Sequence, residues 1–144
     1  MKISASIYAY GDSKSILDVV KSLDQLYIDS FHIDCNDDIS VFDDIAKIRQ
    51  ISNTPIDLHI ITSNPYKYFE KIEQFKIEYV QFQYESLEVK HIDLPHIEGT
   101  KWGLAIQRYD LFLNSPNISI TFFKKNCNFF QSNQNNTKYQ QIKK

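Results

Sequence analysis

At 144 residues with a formal net charge of −2, the chain has the length of a single domain and no cationic excess to draw it to nucleic acid or an acidic membrane surface. Its composition is that of a water-soluble globular protein, no apolar run approaches the roughly 18 residues of a membrane span, and the N-terminus turns polar within about ten residues, without a signal-peptide core. Cys35 and Cys127 lie far apart in unlike surroundings, which suits neither a disulfide framework nor a metal-ligand pair and predicts a reducing, cytoplasmic location. The Asn-x-Ser/Thr matches at Asn117 and Asn135 are then chance occurrences.

In chain order, Ile3 to Tyr8 reads as a strand. Ser13 or Ser15 can cap a helix whose apolar positions Ile16, Val19, Val20 and Leu23 recur at helical spacing. Phe31 to Cys35 is a second strand, and Val41, Phe42, Ile45 and Ile48 mark a second helix that ends near Ser52-Asn53-Thr54-Pro55. Asp43 and Asp44 suit the positive end of that helix. Ile56 to Ile61 is a third strand. Asn64 as cap and Pro65 at the first helical position open a further helix with an apolar face of Tyr68, Phe69 and Ile72, closed by Phe75. Tyr79 to Tyr84 is a fourth strand and Lys101 to Ile106 a fifth, after a polar, proline-containing connection in which His91 and His96 are surface residues.

The strand centres fall near residues 5, 33, 58, 81 and 104. Strand and helix alternating at that period mean βα units and a parallel sheet. Neither GxGxxG nor GxxxxGK[ST] occurs, so five such units suit part of a (β/α)8 TIM-type barrel better than a nucleotide-binding fold. A complete barrel needs roughly 200 residues or more, so the expectation is a partial one over residues 1–107. The character of the chain changes at Arg108. From there on it has six Lys/Arg against one acid, Asp110, leaving 10 basic and 17 acidic residues before that point. Tyr109 to Leu113 and Ile118 to Phe123 read as further strands, but residues 108–144 are otherwise a basic, Asn/Lys-rich tail with the composition of disorder. The sharp change motivates the expectation of a shifted reading frame. An incomplete barrel exposes the edge of its fifth strand, which predicts a homo-oligomer formed through that edge.

Several segments carry a family pattern in order and at matching spacing. Ile3-Ser4-Ala5-Ser6-Ile7 is similar to the first strand of ribulose-phosphate 3-epimerases, and His32-Ile33-Asp34-Cys35-Asn36-Asp37-Asp38 to their HxDxMDG motif. Asp57-Leu58-His59-Ile60 resembles DxHLM, and Asn64-Pro65 with Tyr68 resembles NPxxY. Phe82-Gln83-Tyr84-Glu85 resembles the fourth-strand xHxEA stretch, and Lys101-Trp102-Gly103-Leu104-Ala105 resembles KxGLAL. Each motif is weak alone; together they cover about residues 1 to 107. Departures are Asn36 for the family's Met, Asp38 for its Gly and Gln83 for its fourth-strand His. The strand-6 loop and the Gly-rich strand-7 and strand-8 loops have no counterpart.

The resemblance implies metal-dependent epimerisation of a pentulose 5-phosphate at C3 through an enediolate, in pentose phosphate metabolism. It implies His32, Asp34 and His59 as ligands of a divalent metal (Zn, Fe, Mn or Co), and Asp34 also as the catalytic acid/base. Ser6, His32 and His59 would contact a small-molecule sugar phosphate. The chemistry is sound: a cation must neutralise charge on the developing oxyanion, and inverting a centre needs an acid and a base on opposite faces. Alternation independently puts His32 and Asp34 on one face of their strand. Without the family's strand-7 aspartate, activity is expected to be impaired. The competing reading is a non-catalytic remnant that serves at most as a binding or oligomerisation module. An EF-hand reading of Asp34, Asp37, Asp38, Asp43 and Asp44 is excluded, because the mid-loop Gly is missing and Ile45 stands where the bidentate Glu belongs. Cys35, on the face opposite Asp34, packs under a helix, and Trp102 belongs to the core. No nucleic-acid or membrane partner is expected.

Overall fold

Alternation of apolar and polar residues at every second position divides each strand into two faces, and that division organises the molecule. The computed structural model describes residues 2–9, 15–88 and 92–107. Five strands, β1 (Ser4–Ser6), β2 (Ser30–Cys35), β3 (Ile56–Ile60), β4 (Tyr79–Gln83) and β5 (Lys101–Ala105), form one sheet in sequential order. All four pairings are parallel. Three helices, α1 (Ile16–Asp24), α2 (Val41–Arg49) and α3 (Phe69–Gln74), follow β1, β2 and β3. This is the architecture of a partial TIM-type α/β barrel. The tail from Arg108 onward, with its two expected strands, lies outside the described residues, as do Ser13, His91 and Cys127.

One set of strand residues is apolar and buried: Phe31, Ile33 and Cys35 in β2, Ile56, Leu58 and Ile60 in β3, Val80 and Phe82 in β4, Trp102 and Leu104 in β5. They share a core with Val19, Val20 and Leu23 of α1, Phe42, Ile45 and Ile48 of α2, and Ile72 of α3. Each fully buried Ile, Leu, Val or Phe contributes roughly 1.5–3 kcal/mol. The parallel ring planes of Phe82 and Trp102 lie 11° apart with centroids at 6.1 Å, and Phe69 meets Trp102 edge-on at 5.6 Å, so α3 is keyed to β4 and β5 by aromatic packing.

The helices begin and end where local chemistry dictates. Ser15 caps α1, its Oγ accepting from the Asp18 N–H at 3.2 Å while donating to Asp18 Oδ2 at 2.7 Å. Asn64 accepts from the Tyr66 N–H. The turn it starts is 3-10 over Pro65–Tyr68 before α3 begins, so the α-helix is shorter than its apolar face suggests. β1 is likewise shorter than expected, with Ile7 beyond its end but buried. No α-helix follows β4 among the described residues. A 3-10 turn at Tyr84–Ser86 leads into an irregular connection whose Ile92 and Ile97 are buried. That makes three helical connections among the described residues rather than five complete βα units.

At the N-terminal end of the strands, Arg49 closes α2 by pairing with Glu78 Oε2 at 2.7 Å and donating to the carbonyls of Thr54 and Lys76. Glu78 Oε2 also accepts from the Ile56 N–H at 2.9 Å, tying the starts of β3 and β4 to one helix end. The opposite end of the strands is left to carry the polar residues.

Candidate metal centre

The second face of the sheet is polar from β1 to β4 and gives way in β5 to Gly103 and Ala105, level with Gln81 and Gln83. Ser6, His32, Asp34, Asp57, His59, Gln81 and Gln83 are all half-buried, and the strand register sets them side by side. Ser6 is level with His32, His32 with Asp57, Asp34 with His59, and His59 with Gln81. Asp34 and His59 thus meet across neighbouring strands near their C-terminal ends, where barrel proteins place their sites.

Two imidazoles converge on one carboxylate oxygen. His32 Nε2 lies 3.3 Å from Asp34 Oδ1, and His59 Nδ1 lies 3.2 Å from the same atom. The two rings are 6.0 Å apart between centroids. One nitrogen from each histidine and an oxygen from Asp34 all lie within 4.8 Å of one another, a group that could hold a metal ion. Its donor set of two imidazoles and a carboxylate suits Zn, Fe, Mn or Co rather than Ca or Mg.

The far nitrogen of each ring has its own partner. His32 Nδ1 faces Asp57 Oδ2 at 3.1 Å, and His59 Nε2 faces Gln83 Oε1 at 3.0 Å. Asp57 also accepts from Gln81 Nε2 at 2.8 Å and from Ser4 Oγ at 3.4 Å. Gln83 Nε2 donates to Glu85, whose Oε1 accepts from the Gln107 N–H at 2.8 Å. The hydrogen bond to Asp57 pushes the His32 pKa above its ordinary value of 6.5, against the opposing effect of burial. Asp57 and Gln83 both lie in the motif segments, but the motif reading gave neither a role in supporting the histidines. Asp57 is two residues before His59 on the same strand, so period-2 alternation was the available signal.

Asp34 is the most open member, its side chain 40% exposed against 27% for His32 and 17% for His59. It borders a cavity of about 460 Å³ whose lining includes Tyr8, Asn36, Asp38, Ser40 and Asp44. Tyr8 donates to Asp44 at 3.2 Å, and burial followed by Asp44 raises its pKa. The loop after β2 is fixed from the next unit. Asp37, at φ 59°, pairs with Lys67 at 2.8 Å and accepts from the buried Tyr68 hydroxyl at 3.1 Å. The Lys67 contact chiefly holds the Asp37 carboxyl at about 2. Tyr68 of the Asn64-Pro65-x-x-Tyr68 segment therefore shapes the rim of the site. Ser6 shares the site's face, but no hydrogen bond links it to His32 or Asp34. His96 is exposed on the connection, and Cys35 is buried on the core face with its thiol pKa pushed up by burial. No helix among the described residues is long and apolar enough to cross a membrane.

A sequentially ordered parallel sheet with two histidines and an aspartate gathered at its C-terminal end defines a barrel-type protein with a candidate metal centre. The model of the ribulose-phosphate 3 epimerase family matches residues 2–111 of the 144, and the chain belongs to that family. No curated protein matches it.

Proposed function

We propose that the chain binds a divalent metal through His32, Asp34 and His59 and uses Asp34 to move the proton at C3 of a pentulose 5-phosphate. The observation that carries this reading is the convergence of both imidazoles on Asp34 Oδ1, at 3.3 and 3.2 Å, in a chain of the epimerase family. A divalent cation there would neutralise the charge that develops on the substrate oxygen when the adjacent C–H is broken. Asp34 suits the proton-transfer role because it is the most exposed of the three and opens onto the cavity beside the loop after β2. His32 and His59, each fixed at its far nitrogen, orient the reacting end of the substrate. Ser6, level with His32 on β1, is the proposed substrate contact from the first strand.

The test separates proton transfer from inversion. The chain is incubated with ribulose 5-phosphate in D2O with added Zn²⁺, Fe²⁺, Mn²⁺ or Co²⁺. Deuterium at C3 is read by mass spectrometry and xylulose 5-phosphate by a coupled assay. Metal-dependent deuterium incorporation, falling roughly 10²–10⁴-fold in Asp34→Asn, supports the reading. No incorporation with any of the four metals sinks it.

A further inference from the structure

Which nitrogen of each histidine carries its hydrogen is decided by groups outside the three-residue cluster. A carboxylate can only accept. Glu85, fixed on one oxygen by the Gln107 N–H at 2.8 Å, therefore takes the amide nitrogen of Gln83. That turns Gln83 Oε1, an acceptor, toward His59 Nε2 at 3.0 Å. Nε2 must carry the hydrogen, and His59 Nδ1 is left as a lone pair directed at Asp34 Oδ1. On the other strand, Asp57 accepts from Gln81 and Ser4 and so faces His32 Nδ1 as an acceptor. Nδ1 carries the hydrogen there, and His32 Nε2 is the free lone pair.

We propose that Gln83 and Asp57 are positioning residues that select opposite tautomers for the two histidines, presenting His59 Nδ1 and His32 Nε2 together with Asp34 Oδ1 as three bare acceptors around one point. The proposal rests on the metal-binding reading above and supplies its donor atoms. Three lone pairs meeting without a hydrogen repel one another, and a cation among them removes the repulsion. The Gln83 arm departs from the family motif, in which the resemblance places a histidine at that strand position. A glutamine does the task only when its two ends are told apart, which is what Glu85 does. Supports of this kind set ligand orientation and basicity, and their loss costs roughly 10–100-fold in metal affinity.

The experiment uses the full chain, labelled with ¹⁵N in its histidine rings, and long-range ¹H–¹⁵N spectra at a pH where the imidazoles are neutral. Metal-free protein is expected to show His59 with hydrogen on Nε2 and His32 with hydrogen on Nδ1. Gln83→Leu should turn His59 into a tautomer mixture, leave His32 unchanged, and weaken binding of added Co²⁺ roughly 10–100-fold by its visible absorption. The double variant Gln83→Glu with Glu85→Gln, which keeps an acceptor facing His59 and a donor–acceptor pair behind it, should restore the Nε2–H form and guards against reading a folding defect as a tautomer effect. His59 found with hydrogen on Nδ1 in the wild-type chain overturns the proposal. So does a Gln83→Leu chain with unaltered tautomers and unaltered Co²⁺ affinity. Expected tautomers in a chain that binds no Co²⁺ support the positioning role and overturn the metal reading instead.

Discussion

His32 shows how one neighbour sets the acid–base behaviour of a site residue. Its pKa lies above 6.5, mainly because Asp57 accepts from Nδ1. A histidine with a raised folded-state pKa contributes stability that is fully present below the unfolded value and is lost as pH rises through the folded value. Metal capture runs the other way: a proton on Nε2 competes with a cation, so affinity climbs through that same interval. Removing the carboxylate charge in Asp57→Asn should lower the His32 pKa and shift the onset of Co²⁺ binding to lower pH. An NMR titration of the ring protons beside a Co²⁺ titration would check both, and an unmoved His32 pKa would refute the assigned cause. At this scale the pairing of His32 with Asp34 on one strand face was legible from alternation, which depends only on positions close in the chain, whereas His59 joined them through the family resemblance, and the structure groups the three. The partners of His32 and His59 were not legible. Asp57 and Gln83 act across strands, and their roles follow from a register that joins residues 25 and 24 positions apart.

Elements were legible where capping and apolar period agreed, as at Ser15 and along α1, and from apolar period alone along α2, whose N-cap Ser40 makes no side-chain capping bond. They were less legible at their ends. β1 stops at Ser6 although apolar residues continue, because Ile7 turns into the core. Asn64-Pro65 opens a 3-10 turn before α3, and Tyr68, the last residue of that turn, is taken up by the hydrogen bond to Asp37. Substituting Lys67 by Met should bring the Asp37 pKa up from about 2 toward the ordinary 3.8, measurable from carboxyl carbon shifts. A depressed carboxyl contributes above its unfolded pKa and loses that contribution as pH falls through the folded one, so the tie is in force at neutral pH and is lost only in acid, between about pH 3.8 and 2. Helix α1 is followed by Tyr27 at φ 52°, 94% exposed, in a left-handed conformation where a side chain is strained and buries nothing. Tyr27→Gly should raise stability by about 0.5–1 kcal/mol, the relief of strain exceeding the added chain entropy. Equilibrium urea unfolding reads this directly, and a lower midpoint with an unchanged slope would contradict it.

For the whole molecule, the alternation of strand and helix was enough to read a parallel sheet and the side on which the site lies. Where βα regularity lapsed, after β4, the sequence held no helical period and none forms among the described residues. The consequence for assembly follows from the strand order. β2, β3 and β4 have neighbours on both sides, whereas β1 and β5 each have one among the described residues. A strand with one free edge offers unpaired N–H and C=O groups to another chain. Amide exchange should therefore be slowest in β2 to β4 and faster in β1 and β5 at low protein concentration. If copies associate through β5, sedimentation will show mass rising with concentration, and protection at Lys101 to Ala105 will rise with it while β3 stays constant. A chain that sediments as a monomer throughout, with β5 as protected as β3, would mean that the edge is covered within the molecule, and the edge-mediated oligomer would be ruled out.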